Sequence, residues 1–223
     1  MEKINRFIDI AVIVLIPVAL FYAFIYAPIE KEMGVIQKIF YFHVSSAWIA
    51  FFAFFITFLC SILFLATNNY LFDDIAESSS EIGIIFCTIV LITGPIWAKP
   101  VWGVWWTWDP RLTTTLILWF IYIGYIMLRK FVEEYDKRAK FSAALGIIGF
   151  IDVPIVFLSI RWWRTIHPNV LQQGGGGLHP DMKTALIVGV IAFTFLYISM
   201  LIKRTKLAYL FRRLENLKSS QGV

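Results

Sequence analysis

Six stretches of this chain stay apolar for about 20 residues at a time, the length a helix needs to cross the hydrocarbon of a bilayer. They run over roughly 7–27, 43–66, 80–98, 112–129, 140–160 and 183–202. Only 16% of all residues are charged and 59% are hydrophobic, whereas a soluble domain carries about 25% charged residues. In lipid a backbone N–H or C=O must find its partner inside its own segment, so each run is read as a helix. The expected fold is therefore all-α and integral to the membrane: a six-transmembrane-helix bundle, one domain over residues 1–223. The first run has no small-residue cleavage site and continues through Tyr26 into Pro28, so it reads as a retained span, not a signal peptide.

Lysine and arginine set the expected orientation. With both termini inside, the inner regions hold Lys3 and Arg6, then Arg129, Lys130, Lys137, Arg138 and Lys140. The tail adds Lys203, Arg204, Lys206, Arg212, Arg213 and Lys218. The outer connections hold Lys31, Lys38, Lys99, Arg111, Arg161, Arg164 and Lys183. Thirteen against seven favours cytoplasmic termini in a bacterial inner membrane. The connection 67–79 runs against the trend, with Asp73, Asp74 and Glu77 and no cation; it reads as an inner loop, with the Ser78–Ser80 run at the start of the third helix. The basic tail suits an anionic lipid surface, so the net charge of +5 requires no nucleic acid.

On the outer side lies Trp102-Gly103-Val104-Trp105-Trp106-Thr107-Trp108-Asp109. An aromatic belt accounts for one or two interfacial tryptophans; four in eight positions read as an external platform for a flat apolar ligand. The same topology places His43, His167 and His179 on that side. A metalloporphyrin wants this set: a π face for indoles, an iron for imidazoles and propionates for cations. Lys99, Arg111, Arg161 and Arg164 are the cations within reach, as propionate partners or as solvated juxtamembrane charges. A bare metal would not need the aromatics, although Asp109 and Asp181 could join the histidines as ligands. A sugar site would bring more Asp, Asn and Glu than are present.

The pattern Trp102-Gly103-x-x-Trp106-x-Trp108-Asp109, followed by Pro110-Arg111-Leu112-Thr113, resembles the tryptophan-rich (WWD) signature of the haem-handling proteins of cytochrome c maturation. Further matches are Phe42-His43-Val44-x-Ser46-Ala47-Trp48, Gly94-Pro95-Ile96-Trp97-Ala98-Lys99-Pro100 and Trp162-Trp163-x-Thr165-x-His167. Within that group the chain is similar to the heme exporter protein C (CcmC) type over nearly its whole length. The resemblance implies that His43 and His167 are axial ligands of a transient, non-covalent b-type haem held over the tryptophan loop. It implies haem presentation to a membrane-anchored periplasmic chaperone of the CcmE type. The accessory partners it implies are an ABC transporter pair of the CcmA/CcmB type and a single-helix protein of the CcmD type. The stretch Pro168 to Pro180, with Gln172, Gln173 and four consecutive glycines, departs from the family pattern and reads as flexible.

Other residues carry plainer expectations. Asp109 before Pro110 is a good N-cap for the fourth helix. Trp105, outside the motif, reads as facing lipid, and His179 reads as lying where the last helix begins. Asp152, near mid-depth beside Pro154, reads as a helix bend or as a polar feature on a haem path. Residues 28–42 place Ile29, Met33, Ile36, Ile39 and Phe40 opposite Glu30, Lys31, Glu32 and Lys38, the pattern of an amphipathic surface helix. Cys60 and Cys87 read as inert buried thiols. No Cys-x-x-Cys-His, Cys-x-x-Cys or P-loop occurs, and no nucleophile–base or carboxylate pair supports an enzyme. The rival functions are a membrane b-type cytochrome, which would bury both ligands in helices, and a non-haem transporter coupled through Asp152.

Overall fold

The structure is a computed structural model in which residues 2–167 and 178–221 are described. Among the described residues seven α-helices make six spans: α1 (Glu2–Phe21), α2 (Ile39–Thr67), α3 (Tyr70–Trp102), α4 (Pro110–Phe131), α5 (Tyr135–Phe150), α6 (Asp152–Trp162) and α7 (Pro180–Gln221). α5 and α6 together form the fifth span. The molecule is thus a multi-pass, all-α membrane bundle, as the six apolar runs predict. α2 and α3 form the central pair. α4, α5 and α6 pack to one side of it, and α7 to the other with α1 outermost.

Small residues let these helices approach closely, as membrane helices commonly require. A Cβ on Gly83 of α3 would fall 2.6 Å from the Phe54 ring on α2, and one on Gly149 of α5 would fall 2.7 Å from Ile121 on α4. The connections are sequence-coded too. Asn68 ends α2 in the left-handed conformation, its N–H donating to the Phe64 carbonyl, and the Asn69 side chain caps α3 by accepting from the Leu71 N–H at 3.0 Å. Gly103 ends α3 at φ +78°, where a Cβ would be strained.

The structure corrects three sequence expectations. The acidic stretch 67–79 is not a loop: the turn is Asn68-Asn69 alone, and Asp73, Asp74, Glu77 and Ser78–Ser80 lie within α3. The acidic side chains are held by arginines from later helices. Arg129 forks onto Asp73 at 2.7 and 2.9 Å and reaches Glu77 at 3.0 Å, Arg212 binds Asp74 at 2.8 Å, and Arg204 binds Glu81 at 2.5 and 2.7 Å. Asp73, in the first turn of α3, is also favoured by the helix dipole.

The amphipathic helix expected over 28–42 does not form. Glu30 folds its carboxylate back onto the N–H groups of Glu32 and Met33, Gly34 turns the chain at φ +61°, and a 3-10 turn over Val35–Lys38 leads into α2. α2 therefore begins at Ile39, and His43, expected as the first residue of the second span (43–66), lies a full turn inside the helix. The fifth apolar run is broken at Ile151 between α5 and α6, in keeping with the expected bend, and Asp152 is buried there. The Gly174–Gly177 run lies outside the described residues.

Candidate functional site

His43 projects from the second turn of α2 and is buried. Its Nδ1 lies 2.9 Å from Thr93 Oγ1 on α3. The Thr93 hydroxyl itself donates to the Ile89 carbonyl at 2.7 Å, the back-bond available to helical threonine. With its single proton on that carbonyl, the oxygen is placed to accept from His43 Nδ1–H. That arrangement favours the tautomer with the lone pair on Nε2. Trp97, one turn beyond Thr93, meets the imidazole edge-on at 5.9 Å, and its indole N–H is buried without a partner among the described residues.

His167 lines the same cleft as His43 and lies in the segment after α6. After α6 the chain passes over the start of α4, where Asp109 holds it with one oxygen and caps α4 with the other. Oδ1 accepts the Arg111 N–H at 3.0 Å and caps α4; Oδ2 accepts the Thr165 hydroxyl at 2.6 Å and the Ile166 N–H at 3.0 Å. Thr165 Oγ1 in turn accepts the His167 N–H at 3.0 Å. The His167 ring meets Trp102 edge-on at 6.2 Å, and its Nδ1 is buried without a partner among the described residues. Burial, the Arg111 charge and then His43 push its pKa down to about 3, against the pull of Asp109, so the imidazole is neutral in water near pH 7.

The two histidines line one cleft together with Met33, Gly94, Trp97, Ala98, Val101, Trp102 and Leu112. Its walls are apolar apart from the two imidazoles.

The chain matches the family described as heme exporter protein C (CcmC) over residues 1–220. It is 32% identical over 214 residues to heme exporter protein C of Bradyrhizobium diazoefficiens, covering 95% of this chain and 81% of that one. Against heme exporter protein C of Escherichia coli it is 29% identical over 199 residues, covering 88% of this chain and 80% of that one. It is also 35% identical over 171 residues to a ccmC-like mitochondrial protein of cytochrome c biosynthesis from Marchantia polymorpha, covering 76% of this chain and 72% of that one. The chain belongs to the heme exporter protein C family.

In this member of the heme exporter protein C family, the fold brings some of the expected residues together and leaves others apart. His43, His167 and Trp102 line the cleft. Asp109 caps α4, as expected, and also tethers the His167 segment. Gly103 serves backbone geometry, and Lys99 turns its ammonium onto the Gly103 carbonyl at 2.8 Å. Arg111 is half-buried beside the cleft, whereas Arg161 and Arg164 are exposed at the end of α6 and beyond it. Trp106 and Trp108 meet each other edge-on at 5.9 Å away from the lining, and Trp108 is 76% exposed. Trp105 is exposed as well. His179 is exposed, and its Nδ1 accepts the Asp181 N–H at 3.3 Å, where α7 begins.

Sequence reasoning does not single out Thr93, Trp97 or Met33 as site residues, nor the cleft-lining Gly94, Ala98, Val101 and Leu112. Thr93 and Trp97 are four residues apart, on one face of α3, so a helical projection carried one residue back from the Gly94–Pro100 match would have placed them together. Met33 reaches the cleft only through the Glu30–Gly34 turn, which its amphipathic spacing disguises.

Proposed function

We propose that this protein carries haem as a transient, non-covalent b-type cargo between His43 and His167 and presents it to a CcmE-type periplasmic chaperone in cytochrome c maturation. One observation carries the reading: two imidazoles from separate elements line a single apolar cleft, and among the described residues each keeps a ring nitrogen without a protein partner. Among the described residues no three of His, Cys, Asp or Glu gather in metal-binding geometry, which favours a porphyrin's iron over a bare ion. His43, through Nε2, and His167 would be the residues that hold the iron of bound haem.

Trp97 and Trp102 offer edges and faces to the macrocycle, and Arg111 is the cation best placed for a propionate. Lys99, Arg161 and Arg164 serve the outer rim. The half-buried Trp106 and the exposed Trp108, beside Gly103 and Asp109, form the face offered to the chaperone. With the termini cytoplasmic and the cleft on the periplasmic side of the inner membrane, hand-off needs no second crossing. CcmA/CcmB-type transporter subunits and a CcmD-type helix are the fitting accessory partners. The role is binding and delivery, with no bond made or broken by the chain itself.

The test is titration of the purified protein with haem. The expected result is one haem per chain with a six-coordinate low-spin spectrum, lost within minutes to excess apomyoglobin. An absorption spectrum identical to that of free haem throughout the titration would contradict the reading.

A further inference from the structure

A helix cap occupies one carboxylate oxygen, yet Asp109 uses both. Its Oδ2 is 56 residues in sequence from the Thr165 hydroxyl it accepts, and it takes the Ile166 N–H as well. Thr165 stands at the centre of the arrangement: its proton goes to Asp109 and its oxygen receives the His167 N–H. Asp109 itself is only 7% exposed, so these bonds are shielded from competing water. Nothing comparable holds the His167 ring, whose Nδ1 has no partner among the described residues and whose ring contact is the edge of Trp102. The direction of that imidazole is therefore set through its backbone.

We propose that Thr165 and the second oxygen of Asp109 form a clip that positions His167 as an axial ligand, so that Thr165 is a positioning residue for haem binding. The proposal rests on His167 being an iron ligand, as argued above. It also gives the last residue of the tryptophan motif a role that neither serine nor asparagine fills. A carboxylate caps α4 with one oxygen and anchors the ligand loop with the other, whereas asparagine has a single acceptor for two tasks.

The test compares full-length Thr165→Val, Thr165→Ser, Asp109→Asn and His167→Ala, each purified and loaded with haem. Thr165→Val removes the hydroxyl at near-constant shape, and Asp109→Asn keeps an acceptor for the α4 cap should the valine variant fail to accumulate. Thr165→Val and Asp109→Asn should convert the low-spin spectrum to a five-coordinate one and speed haem loss by roughly 10- to 100-fold, as loss of a ligand's orienting shell typically does. Thr165→Ser should match the wild type. Added imidazole should restore the low-spin spectrum in Thr165→Val as it does in His167→Ala. A wild-type spectrum in Thr165→Val and Asp109→Asn, beside a changed one in His167→Ala, overturns the clip and leaves the ligand assignment standing. Failure of imidazole to restore Thr165→Val, while it restores His167→Ala, also overturns it, because the residue would then support the fold alone. An unchanged spectrum in His167→Ala overturns the ligand assignment and the clip with it.

Discussion

A histidine can bind iron only through a nitrogen whose lone pair is free, and on His43 that choice is made by Thr93. With the threonine proton on the Ile89 carbonyl, the Nδ1–H donates to the Thr93 oxygen, and Nε2 is the nitrogen that would meet iron in the proposed site. Thr93→Val would strand a buried N–H, at a cost of about 1–3 kcal/mol, and free the ring to change tautomer. The expected outcome is roughly 10- to 100-fold weaker haem binding with protein level maintained, and recovery in Thr93→Ser; titration reads both. Equal affinity in wild type and Thr93→Val would show that the hydrogen bond does not orient the ligand. His43 was legible in the sequence because an imidazole among Tyr41, Phe42, Val44 and Trp48 invites a functional reason. Thr93 was not, because one threonine in an apolar helix has several structural explanations and only its distance to His43 separates them.

Among the elements, the tryptophan loop divides into two parts. Trp102 is the last residue of α3 and lines the cleft, while Trp106 and Trp108 pack on each other outside it. An aromatic contact contributes about 0.5–1.5 kcal/mol beyond area burial. Trp102→Ala should therefore weaken haem about tenfold at most, and Trp106→Ala with Trp108→Ala should leave the haem spectrum intact but reduce covalent haem on the chaperone in cells. Normal transfer from that double variant would make those two residues an interfacial belt only.

At its other end α3 carries a different kind of residue set. The buried Asp73–Arg129 fork joins α3 to α4, and removing one member of a buried pair costs about 3–5 kcal/mol. Asp73→Ala should markedly lower the thermal midpoint, and Asp73→Leu with Arg129→Met should regain most of the loss. If Asp73→Ala unfolds at the wild-type temperature, the fork does not hold the helices together. Composition could not reveal this network. Asp73, Asp74 and Glu77 look like loop residues until the arginines that neutralise them, from 52 to 138 positions away in the chain, are seen to converge.

For the whole molecule, hydrophobic run length was enough to give six spans, because lipid leaves the backbone no alternative to helix. The spans extend further than the runs, since paired charges such as Arg212 with Asp74 lengthen α3 and α7 past the apolar limits. The proposed orientation also comes from sequence, through the lysine and arginine bias. Cysteines replacing the exposed Lys137 and Arg164 should react with an impermeant reagent from opposite faces of the membrane, over little background from the buried Cys60 and Cys87. Modification of both from one face would reverse the orientation and move the cleft to the cytoplasmic side. What the linear sequence could not supply was the meeting of α2, α3 and the segment after α6 around one cavity, which depends on packing between distant elements. The most direct test of that meeting is the absorption spectrum of haem-loaded wild type beside His43→Ala and His167→Ala. The account predicts a low-spin bis-histidine spectrum that each substitution alone converts to a five-coordinate form and that added imidazole restores. Retention of the wild-type spectrum in both variants would contradict it.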